Sequence, residues 1–115
     1  MAANKNSTRA YSDKQETSIA KLLNGNKVIG SGSPHFCAGD VKTKTFLIEA
    51  KTSMTPKQSF SIKKDWLDKL ERERMDLQMP YSALAFQFEP DGTNYFVVKD
   101  SLFKDMMEVY TNDSV

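Results

Sequence analysis

Apolar positions along the chain follow two periods. Between residues 46 and 51 they alternate, with Phe46, Ile48 and Ala50 on one side and Leu47, Glu49 and Lys51 on the other, the period of two that a strand requires. Before and after this segment the period lengthens to that of a helix. Glu16, Ile19, Ala20 and Leu23 recur at i, i+3, i+4 and i+7, and Ser12 with Gln15 three residues later has the form of a capping box. This predicts a helix over about 13–24, with Gly25 as its stop signal. Ile62, Trp66, Leu70 and Leu77 mark the inner side of a longer helix that Ser61 would cap, that would run to about residue 78, and that Pro80 would end.

Short β-like runs fill the remainder. Residues 27–29 suit a short strand, and Asp40 opens another that bends back at Lys42-Thr43-Lys44-Thr45, although no Gly or Asn marks a tight turn there. The Gly30-Ser31-Gly32-Ser33-Pro34 segment between them is a loop. Residues 82–88 and 95–98 form a predicted hairpin around Glu89-Pro90-Asp91-Gly92-Thr93-Asn94, and Ser101 would cap a last helix over 102–110. The predicted order is αβββαββα, an α/β fold with a mixed β-sheet flanked by helices. Residues 1–11 are polar and aperiodic and predict a flexible arm, residues 111–115 should fray, and 12–110 make one domain, in keeping with a chain of 115 residues.

Composition narrows the function. No apolar run approaches the roughly 18 residues of a membrane span, and the first residues lack the apolar stretch of a secretory signal, so the expected setting is the cytoplasm, a host's if the chain is phage-encoded. A single Cys and a single His leave no disulfide framework or zinc-ligand spacing. The net charge of +1 conceals an asymmetry. Residues 1–64 carry 11 Lys and Arg against four acids, whereas residues 65–115 carry five against 11. The first half is a candidate phosphate-binding surface, set against the plainer alternative of scattered solvated lysines.

Four side chains call for a common explanation: Glu16 on the apolar side of the first helix, Asp40 at the start of a strand, and Glu49 and Lys51 at the end of the next. Phosphodiester hydrolysis supplies one. Hard carboxylate oxygens hold Mg2+, the metal polarises the phosphate and acidifies water, and an ammonium stabilises the developing charge. The competing explanation is a surface ion pair between Glu49 and Lys51. Six Glu and 13 Lys in the chain give roughly one Glu-x-Lys triplet by chance, so its weight comes from its place. It ends an apolar strand nine residues after an Asp and follows a helix with an inward Glu.

With these residues the chain resembles the PD-(D/E)XK nuclease superfamily, through Asp40 and Glu49-Ala50-Lys51. It is most similar to the archaeal and phage Holliday-junction resolvases, through Glu16, Ser31-Gly32-Ser33, Asp40 and the triplet in that order. The likeness extends over about residues 12–104 and includes the Ala85-Phe86-Gln87-Phe88 strand. Gly39 stands where the superfamily's name has Pro, and Trp66 where many members carry a helical Gln. The resemblance implies a restriction-endonuclease-like fold and a structure-selective DNA endonuclease dependent on Mg2+, with Mn2+ able to substitute. The ligands would be Asp40, Glu49 and the Ala50 carbonyl, with Glu16 completing the shell directly or through water. Lys51 would orient the attacking water or stabilise the pentavalent phosphorus, with one metal or two.

It further implies a homodimer that makes paired cuts in branched, four-way DNA, with contacts from the last helix or the hairpin at 82–98. Ser31, Gly32 and Ser33 would lie near the scissile strand, and Lys14, Lys42, Lys57, Lys63 and Lys64 are candidate phosphate contacts. Another nuclease of the superfamily acting on flaps, ends or duplex DNA would share these residues, and a non-catalytic DNA-binding domain is the alternative of another class. His35 fits a DNA contact or a solvated loop residue better than a general base, and Cys37 fits a small buried apolar residue. Met75, Met79, Met106 and Met107 fit core or subunit packing.

Overall fold

The computed structural model describes residues 8–28 and 39–113. Ser31, Gly32, Ser33, His35 and Cys37 lie outside the described residues. The elements are α1 (Thr8–Leu23), β1 (Asn26–Lys27), β2 (Val41–Lys42), β3 (Phe46–Lys51), α2 (Lys64–Asp76), β4 (Tyr81–Phe86), β5 (Tyr95–Val97) and α3 (Asp100–Asp113). The fold is α/β, with a five-stranded mixed sheet in the order β1-β2-β3-β4-β5. All neighbours pair antiparallel except β3 and β4, which run parallel over six residue pairs from Phe46↔Tyr81 to Lys51↔Phe86. A parallel pair cannot be joined by a tight turn, and α2 lies in the crossover.

The period of two in β3 sorts its side chains between two cores. On one face Ile48 and Ala50 pack with Ile19 of α1, Val41 and Ala85, with Phe46 at the margin. On the other Leu47 packs with Leu70 of α2 and Leu84, fringed by Ile62, Trp66, Leu67, Met79, Phe86 and Val97. Strand β3 is thus covered on both sides, as its apolar Phe46-Leu47-Ile48 run requires. Among the described residues no helix is long and apolar enough to cross a membrane.

The bend between β2 and β3 needs no glycine because Thr43 closes it. Its Oγ1 accepts from the backbone N–H groups of Thr45 at 3.2 Å and Phe46 at 2.9 Å, while its own N–H donates to the Phe46 carbonyl at 2.9 Å. A hydroxyl that captures nearby N–H groups substitutes for positive-φ residues. At the end of α1 it is Asn24, with φ of 56°, that takes the left-handed conformation. Gly25 has another role, since a Cβ there would sit 2.7 Å from the Lys42 carbonyl oxygen.

Helix boundaries depart from those predicted. Helix α1 begins at Thr8, so Ser12 lies inside it and no capping box forms. Helix α2 begins at Lys64 after Lys63, which makes no side-chain cap, and Ser61 is not its cap. Leu77 is 41% exposed rather than turned inward. Helix α3 includes Ser101 in its first turn and continues through Asp113.

One polar clamp ties α2 to the sheet and to the start of α3. The Glu71 carboxylate accepts from Arg74 Nε and Nη2, both at 3.0 Å, from Ser82 Oγ at 2.9 Å and from Lys99 Nζ at 3.3 Å. The Arg74 fork, aided by Ser82 and Lys99, holds its pKa down at about 2, against an ordinary 4.5. A depressed carboxylate stabilises the fold above its unfolded pKa and loses that contribution as pH falls through the folded value. Glu71→Gln should therefore lower the unfolding free energy in urea at pH 7 by about 1–3 kcal/mol. Wild-type stability should decline between pH 4.5 and about 2, and Glu71→Gln should flatten that decline.

Candidate active site

The candidate residues converge on the end of β3. Asp40, one residue before β2, is tied to β3 twice: its N–H donates to the Ile48 carbonyl at 2.8 Å, and its Oδ2 accepts from the Ala50 N–H at 2.8 Å. Alternation then places Glu49 and Lys51 on the α2 side of the strand. Glu16 approaches from α1 and is only 9% exposed.

Gly39 explains how Asp40 reaches this position. Its φ is +70°, and a Cβ there would lie 2.6 Å from Leu47 Cδ1. Its N–H donates to Glu73 Oε1 at 3.0 Å. Proline, with φ fixed near −65° and no N–H, fits neither requirement, which accounts for glycine at this position.

The three acids oppose one another's ionisation. Burial pushes the Glu49 carboxyl up to about 7, the Asp40 charge adds to the rise, and Lys51 and Lys69 counter it. Glu16 is likewise raised to about 7 by burial and then by Asp40, against the pull of Lys27. Burial also raises Asp40, opposed by the Ala50 N–H and by Lys51. Glu16 and Glu49 are each coupled to Asp40, which makes Asp40 the hub of the cluster.

Cations answer these charges from the α2 side. Lys51 Nζ lies 3.7 Å from Glu49 Oε2 and 4.4 Å from the centroid of the Trp66 ring. Lys69 Nζ lies 3.4 Å from Glu73 Oε2. Burial works against the Lys69 ammonium, but Glu49 and Glu73 outweigh it and raise its pKa. Neither Lys69 nor Glu73 was among the candidates drawn from the sequence. The available signal was their spacing, because Trp66, Lys69, Leu70 and Glu73 fall at i, i+3, i+4 and i+7 and place two charged residues on an otherwise inner face.

Gln15 was also misplaced by the sequence pattern. It is 2% exposed, and its Nε2 donates to the Lys51 carbonyl at 2.8 Å and to Asn94 Oδ1 at 3.2 Å. It thereby anchors the end of β3 to α1 in place of capping the helix. The Lys51 carbonyl also accepts from the Gln87 N–H at 3.2 Å.

The donors match a hard divalent cation in kind: three carboxylates whose mutual repulsion a cation would relieve. They do not form a closed cage, since among the described residues no group of three or more His, Cys, Asp or Glu side chains is disposed to hold a metal ion. Of the candidate phosphate contacts, Lys14, Lys42 and Lys57 are exposed and enter no ion pair among the described residues. Lys63 Nζ is 5.7 Å from the Trp66 ring, and Lys64 is committed to Asp68 at 3.0 Å.

A carboxylate whose folded pKa is raised favours the fold at low pH and weakens it as pH rises through the folded value. Without divalent metal, wild-type stability should therefore fall as pH rises from 4.5 through about 7. Glu49→Gln should remove much of this slope and be the more stable protein at pH 8, by about 1–3 kcal/mol in urea unfolding. A wild type as stable at pH 8 as at pH 5 would contradict the electrostatic account.

Comparison of the chain with protein-family models, curated proteins and solved structures gives no match.

Proposed function

We propose that the protein is a divalent-metal-dependent DNA endonuclease of the PD-(D/E)XK kind, acting on branched DNA as a Holliday-junction resolvase. The observation that carries this reading is the cluster at the end of β3. Buried carboxylates that raise one another's pKa, with an ammonium 3.7 Å from one of them, are costly to the fold and suited to chemistry on an anion. Asp40, Glu49 and the Ala50 carbonyl, with Glu16, would hold Mg2+, which when bound would polarise the phosphate and acidify a water. Lys51 presents positive charge beside the acids, where it can stabilise charge developing on phosphate oxygens. Exposed Lys14, Lys42 and Lys57 bear on the DNA backbone through charge alone and select no sequence. Phe103, Met106, Met107, Val109 and Tyr110 of α3 are all about half exposed or more, an apolar surface that supports a homodimer able to cut two strands.

Cleavage of four-way, flap, nicked and linear DNA with Mg2+, Mn2+ or EDTA tests the proposal. Wild type should cut the four-way junction in either metal and not in EDTA. Asp40→Asn and Glu49→Gln should each lose about 10²-fold or more in rate while binding the junction nearly as wild type does. Lys51→Ala should lose comparable activity yet keep its thermal stabilisation by Mg2+, since an ammonium is no metal ligand. A wild type inactive on every DNA would overturn the nuclease assignment, whereas preference for flaps or ends would overturn only the resolvase assignment.

A further inference from the structure

A 3.7 Å separation from Glu49 Oε2 is longer than a hydrogen bond, so that attraction alone gives the Lys51 ammonium no fixed direction. The second contact is the indole of Trp66, whose ring centroid lies 4.4 Å from Nζ. We infer that Trp66 is a positioning residue that holds the Lys51 ammonium beside the carboxylates by a cation–π contact.

The indole is itself fixed. Trp66 stands in the first turn of α2, where its backbone N–H donates to the Lys63 carbonyl at 3.0 Å. Its ring packs on Phe60 at 6.4 Å between centroids, Phe60 stacks on Phe86 at 5.1 Å, and Phe86 is the register partner of Lys51 across the β3–β4 ladder. Lys51, Trp66, Phe60 and Phe86 therefore close a loop of contacts. The strand pair that carries the lysine also carries the ring stack that locates the indole. Lys63, at 5.7 Å from the same ring, is the more distant of its two cations. A glutamine at this helical position could hydrogen-bond, but it offers no π-face to a cation.

Two measurements test the inference, the kinetic one resting on the endonuclease reading and the spectroscopic one independent of it. In NMR of the whole protein, with Lys51→Arg used for assignment, the Lys51 ε-methylene protons should be shifted upfield by the indole ring current. Trp66→Leu should abolish that shift, and Trp66→Phe should keep part of it. In cleavage assays Trp66→Leu should lower kcat about tenfold, with KM for DNA and the half-saturating Mg2+ concentration within about twofold of wild type, and Trp66→Phe should recover most of the rate. Urea unfolding of both variants separates lost packing from lost positioning. Unshifted Lys51 protons in wild type, or an equal shift in Trp66→Leu, would overturn the inference even if a variant folded poorly. If wild type cuts no DNA, the endonuclease reading fails and the ring-current comparison still decides the role of Trp66.

Discussion

The constraint on which the rest depends is the burial of β3 on both faces. A strand that alternates side chains between two cores must fill both along its buried length, and Phe46, Leu47 and Ile48 do so against α1 and α2. At Glu49 the same alternation continues into polar residues, while the parallel ladder with β4 holds the backbone through Lys51. The candidate side chains Glu49 and Lys51 are thus positioned by a strand packed on both faces. Sites built on strands gain positional accuracy this way, and here Asp40 shares it through its two hydrogen bonds back to β3.

Holding three acids at one place works against folding. Glu16 and Glu49 are both raised to about 7, so near neutral pH the cluster resists full ionisation. The larger opposing contributions come from β3 and β1: the Ala50 N–H and Lys51 pull on Asp40, Lys51 pulls on Glu49, and Lys27 pulls on Glu16, with Lys69 of α2 adding less to Asp40 and Glu49, while Glu73 receives the Gly39 N–H that sets the approach to Asp40. On the opposite side of that helix's role, the Glu71 clamp binds it to Ser82 and Lys99. Helix α2 is therefore a cover for the sheet that also brings one cation, Lys69, beside the acid cluster. Strain at a functional site is commonly offset in this manner by well-satisfied interactions elsewhere.

The α/β class and the two faces of β3 were legible in the sequence because both follow from short-range periodicity. Helix starts were not. Ser12 and Gln15 have the spacing of a cap, but Gln15 makes a stronger claim on the Lys51 carbonyl 36 residues away, and no local pattern reveals such a contact. Leu77 continued the inner stripe of α2 in sequence, yet it falls at the helix C-cap, where the periodicity no longer applies. Likewise Thr43 closes a bend through its hydroxyl where turn statistics look for Gly or Asn. Of the site, Asp40, Glu16 and the triplet could be proposed from type and spacing. Lys69 and Glu73 could not be tied to it until the crossover geometry of α2 was known.

The division of charge between the two halves of the chain takes on a structural sense in this arrangement. The basic half contributes α1, β2, β3 and the segment leading to α2, and with them the exposed Lys14, Lys42 and Lys57. The acidic half begins within α2, and there three of its acids pair with nearby cations: Asp68 with Lys64, Glu71 with Arg74 and Lys99, and Glu73 with Lys69. Those pairs offset part of the acidic half's charge, whereas Lys14, Lys42 and Lys57, which enter no ion pair among the described residues, lie on α1, on β2 and in the segment after β3. A net charge of +1 is therefore compatible with an electropositive surface around the acid cluster, because long-range attraction of a polyanion depends on where unpaired charge sits and not on the total. The cluster itself is the exception on this surface, a point of negative charge that a phosphate could approach only once cations had offset it.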